Sequence, residues 1–203
     1  MEETSLREQK KRRTRVAITN AALQLFAARG FEAVTLADVA AAADIGERTL
    51  FRYFPDKEEL LFGEDTAVQA QLEAGLAARP ADEAPTAAVL EAIVSLAPLW
   101  QDRQEEGRVR QAIVAASQAL QARERVKHAA YERTLAAGLV RRGTPEPQAR
   151  LLARTAVACL DEAIARWFAD DDPARPGLEA RGRETFPELA ALLTAPRKPQ
   201  VDP

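Results

Sequence analysis

Apolar side chains recur every three or four residues along most of the chain, which is the spacing of amphipathic α-helices. The first predicted helix runs from Thr14 to Arg29, and Gly30 follows it as a helix-ending residue should. No stretch alternates apolar and polar residues as a strand would, and no internal repeat occurs. The pattern therefore predicts an all-α fold. The apolar stripe of the first helix consists of Ile18, Ala22, Leu25 and Phe26.

Two short helices follow, predicted at residues 36–42 and 47–54, with a tight turn between them. Thr35 is suited to cap the first of them, and Asp38 stands where the acid of a capping box would be. Asp44 is the turn residue expected to adopt a positive φ, because Asp tolerates that region better than most residues. On the second helix, the spacing turns one set of side chains inward and another outward. The inward set is Ile45, Leu50 and Phe54, and the outward set is Glu47, Arg48, Phe51 and Arg52.

The outward set carries an aromatic ring and two arginines, which is typical of a DNA-recognition helix. The charge distribution agrees with this interpretation. Between Arg7 and Phe54, nine Lys and Arg and five Asp and Glu give a net charge of +4, whereas the whole chain has −3. The basic run from Lys10 to Arg15 predicts either a solvated tail or an arm that contacts phosphate. Its place directly before the two short helices favours the arm.

Helical spacing continues after Pro55, which ends the second short helix. A linking helix is predicted at residues 57–78, followed by a loop at 78–85. Pro98 should kink or end the helix that contains it. Further helices are predicted at about residues 86–100, 105–116, 120–142, 145–168 and 178–193.

Several classes of protein are excluded by residues that the chain lacks. The single cysteine, Cys159, cannot form an internal disulfide, and with one histidine, His128, a zinc site is improbable. No apolar run is long enough to span a bilayer and no signal core stands at the N-terminus, so we expect a cytoplasmic protein. No phosphate-binding glycine loop, nucleophile elbow or acid–base pair indicates an enzyme. We therefore expect no catalytic residues, no cofactor and no metal.

The helix ending in ARGF and the stretch TLADVAAAADIGERTLFRYFPDKEELL resemble the N-terminal domain of the TetR family of bacterial transcriptional regulators. The resemblance covers about the first 62 residues. It implies an N-terminal three-helix helix-turn-helix domain, then a larger helical ligand-binding and dimerisation domain, with about nine helices in total. The predicted divisions are a disordered tail at 1–9, a DNA-binding domain at 10–56, a ligand-binding and dimerisation domain at 57–195 and a disordered tail at 196–203.

The resemblance also implies roles for residues of the first domain. Arg48, Thr49 and Arg52 would lie in or beside the major groove, where arginine paired with guanine is the commonest specific contact. Thr35, Tyr53 and Lys57 would contact phosphates. Three positions depart from the family pattern. Asp44 stands where glycine is usual in the turn, which should cost little. Gly46 stands where serine is common, so only its backbone N–H could contact DNA, and Phe51 stands where tyrosine is common, which leaves an apolar contact. The predicted DNA contacts are Lys10, Arg13, Arg15, Thr35, Gly46, Arg48, Thr49, Phe51, Arg52, Tyr53 and Lys57.

For the second domain, the resemblance implies a homodimer in which the last two helices of each copy form a four-helix bundle; the alternative is a monomeric bundle core. The partners would be a double-stranded DNA operator and a small hydrophobic effector, for which an acyl-CoA is one candidate class. The function would be that of a ligand-released repressor, with an activator, or an architectural DNA binder without a ligand, as alternatives. Plain core is the alternative for each predicted pocket residue. These are Phe62, Leu96, Leu99, Trp100, Tyr131, Leu135, Cys159, Glu162 and Trp167.

Overall fold

Helices follow one another through the part of the chain described by a computed structural model, which comprises residues 2–63, 65–170, 172 and 176–194. No strand occurs among these residues, so the predicted all-α fold is confirmed. The number of helices agrees with about nine when the short α4 and α7 are counted with their neighbours. No described helix is long and apolar enough to cross a membrane. The elements are α1 (Glu2–Arg29), α2 (Leu36–Ala42), α3 (Glu47–Tyr53), α4 (Glu59–Phe62), α5 (Asp65–Ala77), α6 (Pro85–Val94), α7 (Ala97–Trp100), a 3₁₀ turn (Gln101–Arg103), α8 (Gln104–Ala115), α9 (Gln118–Arg141), α10 (Glu146–Ala169) and α11 (Leu178–Thr194).

The first helix begins earlier than its apolar stripe predicts. It starts at Glu2 and not at Thr14, so residues 2–9 continue the helix where the sequence predicts a disordered tail. Glu, Gln, Lys and Arg are strong helix formers, and no Gly or Pro interrupts residues 2–13. Polarity alone therefore did not mark the start of the helix. The other predicted tail, residues 196–203, lies outside the described residues.

The linking helix predicted at residues 57–78 is broken into α4 and α5. Helix α4 ends at Phe62, directly before Gly63, and α5 begins at Asp65. The predicted interruption near Pro98 is also present, since α6 ends at Val94 and α7 begins at Ala97. Both breaks occur beside residues that disfavour an uninterrupted helix.

The chain divides into two compact units, and each unit is made of two separate stretches of sequence. We call the first the head unit; it contains Met1–Thr66 and Arg103–Lys127. The second unit contains Ala67–Asp102 and His128–Pro203. Helix α8 thus belongs with the first helices of the chain. The domain boundary expected between residues 56 and 57 stays a prediction.

The core of the head unit is built from α1, α2, α3, α4 and α8. Ile18, Leu50 and Phe54 are almost completely buried in it, and so is Phe62 of α4. Ile113 and Val114 of α8 pack into the same cluster. Since each buried large side chain contributes about 1.5–3 kcal/mol, α8 is a substantial part of what holds the head unit together.

Alanines form the buried face of α10 in the second unit. Ala149, Ala153, Ala156 and Ala163 are completely buried, and α10 packs against α6 and α11. Small side chains at helical spacing let neighbouring backbones approach closely. Ion pairs run along the outside of these helices. They join Arg166 to Glu162 and Glu188, and Arg183 to Glu91 and Glu179.

Candidate nucleic-acid interface

Helices α2 and α3 are joined by the turn of residues 43–46. Asp44 has a φ of 52°, so the predicted left-handed residue is confirmed. The backbone N–H of Ile45 donates to the carbonyl oxygen of Ala40 at 3.0 Å, and the N–H of Ala43 donates to that of Val39 at 2.9 Å. These bonds hold the turn to the end of α2, and the turn therefore sets the direction in which α3 leaves.

A capping box starts α2, as the sequence predicted. Asp38 Oδ2 accepts from the backbone N–H of Thr35 at 2.8 Å and from its hydroxyl at 2.7 Å, and the Thr35 hydroxyl accepts from the N–H of Asp38 at 3.1 Å. Arg29 lies 3.3 Å from Asp38 Oδ1. The hydrogen bond from the Thr35 N–H is the main cause that lowers the pKa of Asp38. The Thr35 hydroxyl is thus engaged inside the box, and its contact with phosphate stays a prediction.

We expect Asp38→Asn to lower the melting temperature at pH 7, because the carboxylate that accepts these bonds is lost. The folded state depresses the pKa of Asp38, so the ionised form stabilises the protein above the ordinary pKa of about 4, and this contribution disappears as the pH falls through the lower folded value. The difference between wild type and variant should therefore shrink below about pH 4. Thermal melts from pH 2 to 7 measure this difference in melting temperature. Asp82→Asn, at an exposed loop position outside the capping box, is the control and should melt like the wild type.

The two predicted faces of α3 are confirmed. Leu50 is completely buried, whereas 50% of Phe51 is exposed. Arg48 and Arg52 are exposed as well, and Thr49 is half-buried. The face of α3 turned to solvent therefore presents two guanidinium groups beside an aromatic ring. Such a face can donate bidentate hydrogen bonds to base edges and can contact a thymine methyl group.

Gly46 is the N-cap of α3 and supplies no side-chain hydrogen bond to it. Its φ of −73° and ψ of 146° suit any residue, and an added Cβ would meet nothing within 4 Å. We therefore expect Gly46→Ser to raise the free energy of unfolding by a few tenths of a kcal/mol, because the hydroxyl can accept from a free N–H of the first turn. Gly46→Ala lacks the hydroxyl and is the matched control. Denaturant titrations that gave both variants the same stability would contradict the capping argument.

The basic run predicted to form an arm lies on the outer surface of α1. Lys10 and Arg13 are exposed on this helix, as are Lys11 and Arg12. The Thr14 hydroxyl donates to the carbonyl oxygen of Lys10 at 3.0 Å, which is a bond within the helix. The run is therefore helical in the free protein, and its contact with phosphate stays a prediction.

Two of the predicted phosphate contacts instead have their charged groups engaged within the head unit. The Arg15 guanidinium donates to the carbonyl oxygens of Tyr53 at 3.3 Å and Gly63 at 2.7 Å. The Lys57 ammonium donates to the carbonyl oxygens of Phe31 at 2.8 Å and Val34 at 3.2 Å. The sequence missed these contacts because the partners lie 23 to 48 residues away and are backbone atoms.

Cationic side chains of α8 and α9 contact α4 and the first residue of α5, and no sequence pattern predicted these contacts. Arg110 donates to the carbonyl oxygen of Leu61 at 2.8 Å, and its guanidinium carbon lies 4.9 Å from the centre of the Phe62 ring. Arg123 donates to Glu59 at 2.7 Å, and Lys127 lies 3.0 Å from Asp65. Burial is the main cause that lowers the pKa of Lys127. These contacts couple α4 to α8 and α9 inside the head unit.

The predicted pocket residues lie mainly in the packed cores. Phe62 is buried in the head unit, while Leu96, Tyr131 and Leu135 are buried in the second unit. Glu162 is exposed and paired with Arg166 at 2.6 Å. The remaining four, also in the second unit, divide into the buried Cys159 and Trp167 and the half-buried Leu99 and Trp100.

A half-open cleft of about 360 Å³ lies elsewhere in the second unit. None of the nine predicted residues lines it, so an effector pocket formed by them stays a prediction. Its lining consists of Leu76, Ala77, Arg79, Ala81, Gly138, Arg141 and Arg142.

Comparison with known proteins places this helix-turn-helix in a family. The profile described as "Bacterial regulatory proteins, tetR family" matches residues 18–63. The HTH-type transcriptional regulator TcmR of Streptomyces glaucescens is 37% identical over 102 residues, which are 50% of this chain and 45% of TcmR. The chain thus spans less than half the length of this curated relative.

Solved structures share the fold over most of the chain. The fatty acid degradation regulator FadR from Bacillus halodurans has a TM-score of 0.62 at 18% identity, covering 89% of this chain and 98% of its own. FadR from Bacillus subtilis in complex with stearoyl-CoA has a TM-score of 0.61 at 17% identity, covering 88% and 97%. These proteins are regulators and not enzymes. With the confirmed faces of α3, the matched residues 18–63 form a helix-turn-helix of the TetR family of bacterial transcriptional regulators.

Proposed function

We propose that the chain is a repressor that binds a palindromic operator as a homodimer and is released by a small hydrophobic effector. The observation that carries the proposal is the outer face of α3, where Arg48, Phe51 and Arg52 are exposed on a helix anchored by the buried Leu50. An anchored helix with exposed guanidinium groups can enter a major groove without losing its core packing. Phosphate contacts from Lys10, Arg13, Thr35 and Tyr53, with the N–H of Gly46, would set its register.

The proposed dimer uses α10 and α11. Each of these helices exposes a large apolar side chain, Leu151 at 69% and Leu192 at 70%. Burial of such side chains against a second copy would remove apolar area from water. A dimer also supplies the two recognition helices that a palindrome requires.

The proposed release acts through helices that contain residues of both units. Helices α5 and α9 both begin in the head unit and end in the second unit. In the head unit, Arg110, Arg123 and Lys127 contact α4 or the start of α5, so a shift of α9 would be felt at the segment that follows α3. The effector would favour the non-binding state by the difference in its affinity for the two states.

We propose the acyl-CoA class for the effector, supported by the fold shared with the FadR structure that holds stearoyl-CoA. Thermal-shift titration with stearoyl-CoA should raise the melting temperature, since a ligand that binds only the folded state stabilises it. Free CoA and stearate are the matched probes. An unchanged melting temperature with stearoyl-CoA would exclude this ligand.

The operator proposal is tested by selecting, from a pool of random duplexes, those that the purified protein binds. We expect an inverted repeat whose half-sites lie one helical turn or a multiple of it apart. Sedimentation of the protein with and without the selected duplex gives the stoichiometry. If no sequence is enriched above the starting pool, both a repressor and an activator function are refuted. If a monomer binds a single half-site, only the proposed dimer is refuted.

A further inference from the structure

We propose that Arg15 and Lys57 are positioning residues that fix the recognition helix α3, and the segment that follows it, to the rest of the head unit. This inference rests on the proposed DNA-binding function, because what they position is the base-reading face. Both are cations in a segment that meets DNA in the family, and a role as phosphate ligands is the alternative. The two roles have different effects on binding. A phosphate ligand raises the affinity for every duplex, whereas a positioning residue changes the ratio of the affinities for different duplexes.

The Arg15 guanidinium joins α1 to both ends of the segment that follows α3. Nη1 donates to the carbonyl oxygen of Tyr53, the last residue of α3, and Nη2 donates to the carbonyl oxygen of Gly63 at the end of α4. The last carbonyl groups of a helix have no partner within it and carry its negative partial charge. A guanidinium is therefore a favourable partner for the end of α3.

The face of the guanidinium rests on a ring of the core. Its central carbon lies 4.5 Å from the centre of the Phe54 ring, and Phe54 is buried. Arg15 is half-buried, in contrast to the exposed Lys11, Arg12 and Arg13 of the same helix. The planar fork of arginine can bond two carbonyl oxygens and stack on a ring at once, which the single ammonium of lysine cannot do.

Gly63 provides the space that the guanidinium occupies. A Cβ at this position would lie 2.3 Å from Arg15 Nη2. The backbone there has a φ of −65°, which every residue can adopt, so the conformation does not require glycine. The lack of space does: a methyl group in Gly63→Ala would displace the guanidinium without removing its charge, and it would also press on the carbonyl oxygen of Glu59, 2.7 Å from the added Cβ.

Lys57 makes a second set of contacts, with the loop between α1 and α2. Its ammonium donates to the carbonyl oxygens of Phe31 and Val34 and lies 4.2 Å from the centre of the Phe31 ring. Val34 directly precedes Thr35, the N-cap of α2. Lys57 thus ties the chain after α3 to the loop before α2, and Arg15 ties it to α1.

The test compares Arg15→Lys with Arg13→Gln on the selected operator and a scrambled duplex, over a series of salt concentrations. Arg15→Lys keeps the charge and loses the fork. We expect its operator-to-scrambled affinity ratio to fall about tenfold, as for one mismatched base pair, with an unchanged salt slope. Arg13→Gln, at an exposed position, should keep the ratio and reduce the slope by about one. Lys57→Met should lower the ratio and leave the slope unchanged.

The opposite pattern overturns the proposal. If Arg15→Lys binds like wild type, or Lys57→Met reduces the slope by about one and keeps the ratio, these cations are phosphate ligands. Gly63→Ala is the second variant, should Arg15→Lys not fold. It should reproduce the loss of discrimination, and wild-type discrimination would also overturn the proposal.

Hydrogen exchange without DNA separates this proposal from the proposed function. The N–H of Phe54 bonds the carbonyl oxygen of Leu50 at the end of α3. Its exchange should be at least several-fold faster in Arg15→Lys than in Arg13→Gln. Unchanged exchange would refute the tie even in a protein that binds its operator. Faster exchange in a protein that shows no operator preference would leave the tie intact and refute the proposed function.

Discussion

Replacing Arg52 with alanine should remove about 1–3 kcal/mol of discrimination between the operator and an unrelated duplex. Arg52 is exposed in the last turn of α3, and its guanidinium carbon lies 5.5 Å from the centre of the Tyr53 ring. Contact with the ring limits the positions of the long side chain, so less conformational entropy remains to be lost on binding. A guanidinium held on the outer face of a recognition helix can donate two bonds to O6 and N7 of one guanine.

Competition binding with a labelled operator measures this loss. Operator affinity should fall far more than affinity for a scrambled duplex, since only the base contact is lost. Arg150→Ala, an exposed arginine of α10, removes the same charge from the second unit and is the control. If Arg52→Ala weakened both duplexes equally and Arg150→Ala neither, Arg52 would be a phosphate ligand and base reading would belong to Arg48.

Replacing Leu50 with alanine should lower the free energy of unfolding of the head unit by about 2–5 kcal/mol. Leu50 is completely buried, and its cluster includes Ile18, Val39 and Phe54. The substitution loses transfer free energy and leaves a cavity between α1, α2 and α3 that a close-packed core cannot fill fully. A loss of this size is a large part of the stability of a small domain.

The neighbouring Phe51→Ala is the matched control, because this side chain is half exposed and on the opposite face. It should change stability by less than about 0.5 kcal/mol and weaken operator binding. Far-UV circular dichroism follows unfolding of the whole chain, while fluorescence of Trp100 and Trp167, both in the second unit, follows that unit separately. Equal destabilisation by the two substitutions would contradict the division of α3 into an inner and an outer face.

Features that depend on neighbours in sequence were predictable. The capping box of Thr35 and Asp38 and the positive φ of Asp44 depend on a few consecutive residues. Gly30 and Gly143, with φ of 82° and 89°, follow the ends of α1 and α9 for the same local reason. Periodicity likewise predicted which side of α3 is buried, because a helix brings residues three and four apart to one face.

Features that depend on partners distant in sequence were not predictable. Nothing local distinguishes Arg15 from Arg13 in a run of basic residues, yet one is half-buried against Phe54 and the other is exposed. The helical spacing around Ile113 of α8 predicts that this side chain is buried, but it does not predict in which core. The structure places Ile113 in the core of the head unit. Apolar character is what predicts pocket residues such as Leu96 and Tyr131, but core residues share it, and both side chains are packed in the core of the second unit.

The sequence by itself determined the all-α fold, the TetR-type helix-turn-helix of the first domain, and the outer face of α3 with Arg48, Phe51 and Arg52. These rest on helical periodicity and on capping and turn residues, which act within one or two helical turns. Only the tertiary structure decided that α8 completes the head unit and that Arg15 and Lys57 donate to backbone carbonyl oxygens within it. A cation can reach phosphate, carboxylate or carbonyl oxygen equally well, and the choice is made by which of these the fold brings within about 3 Å of it.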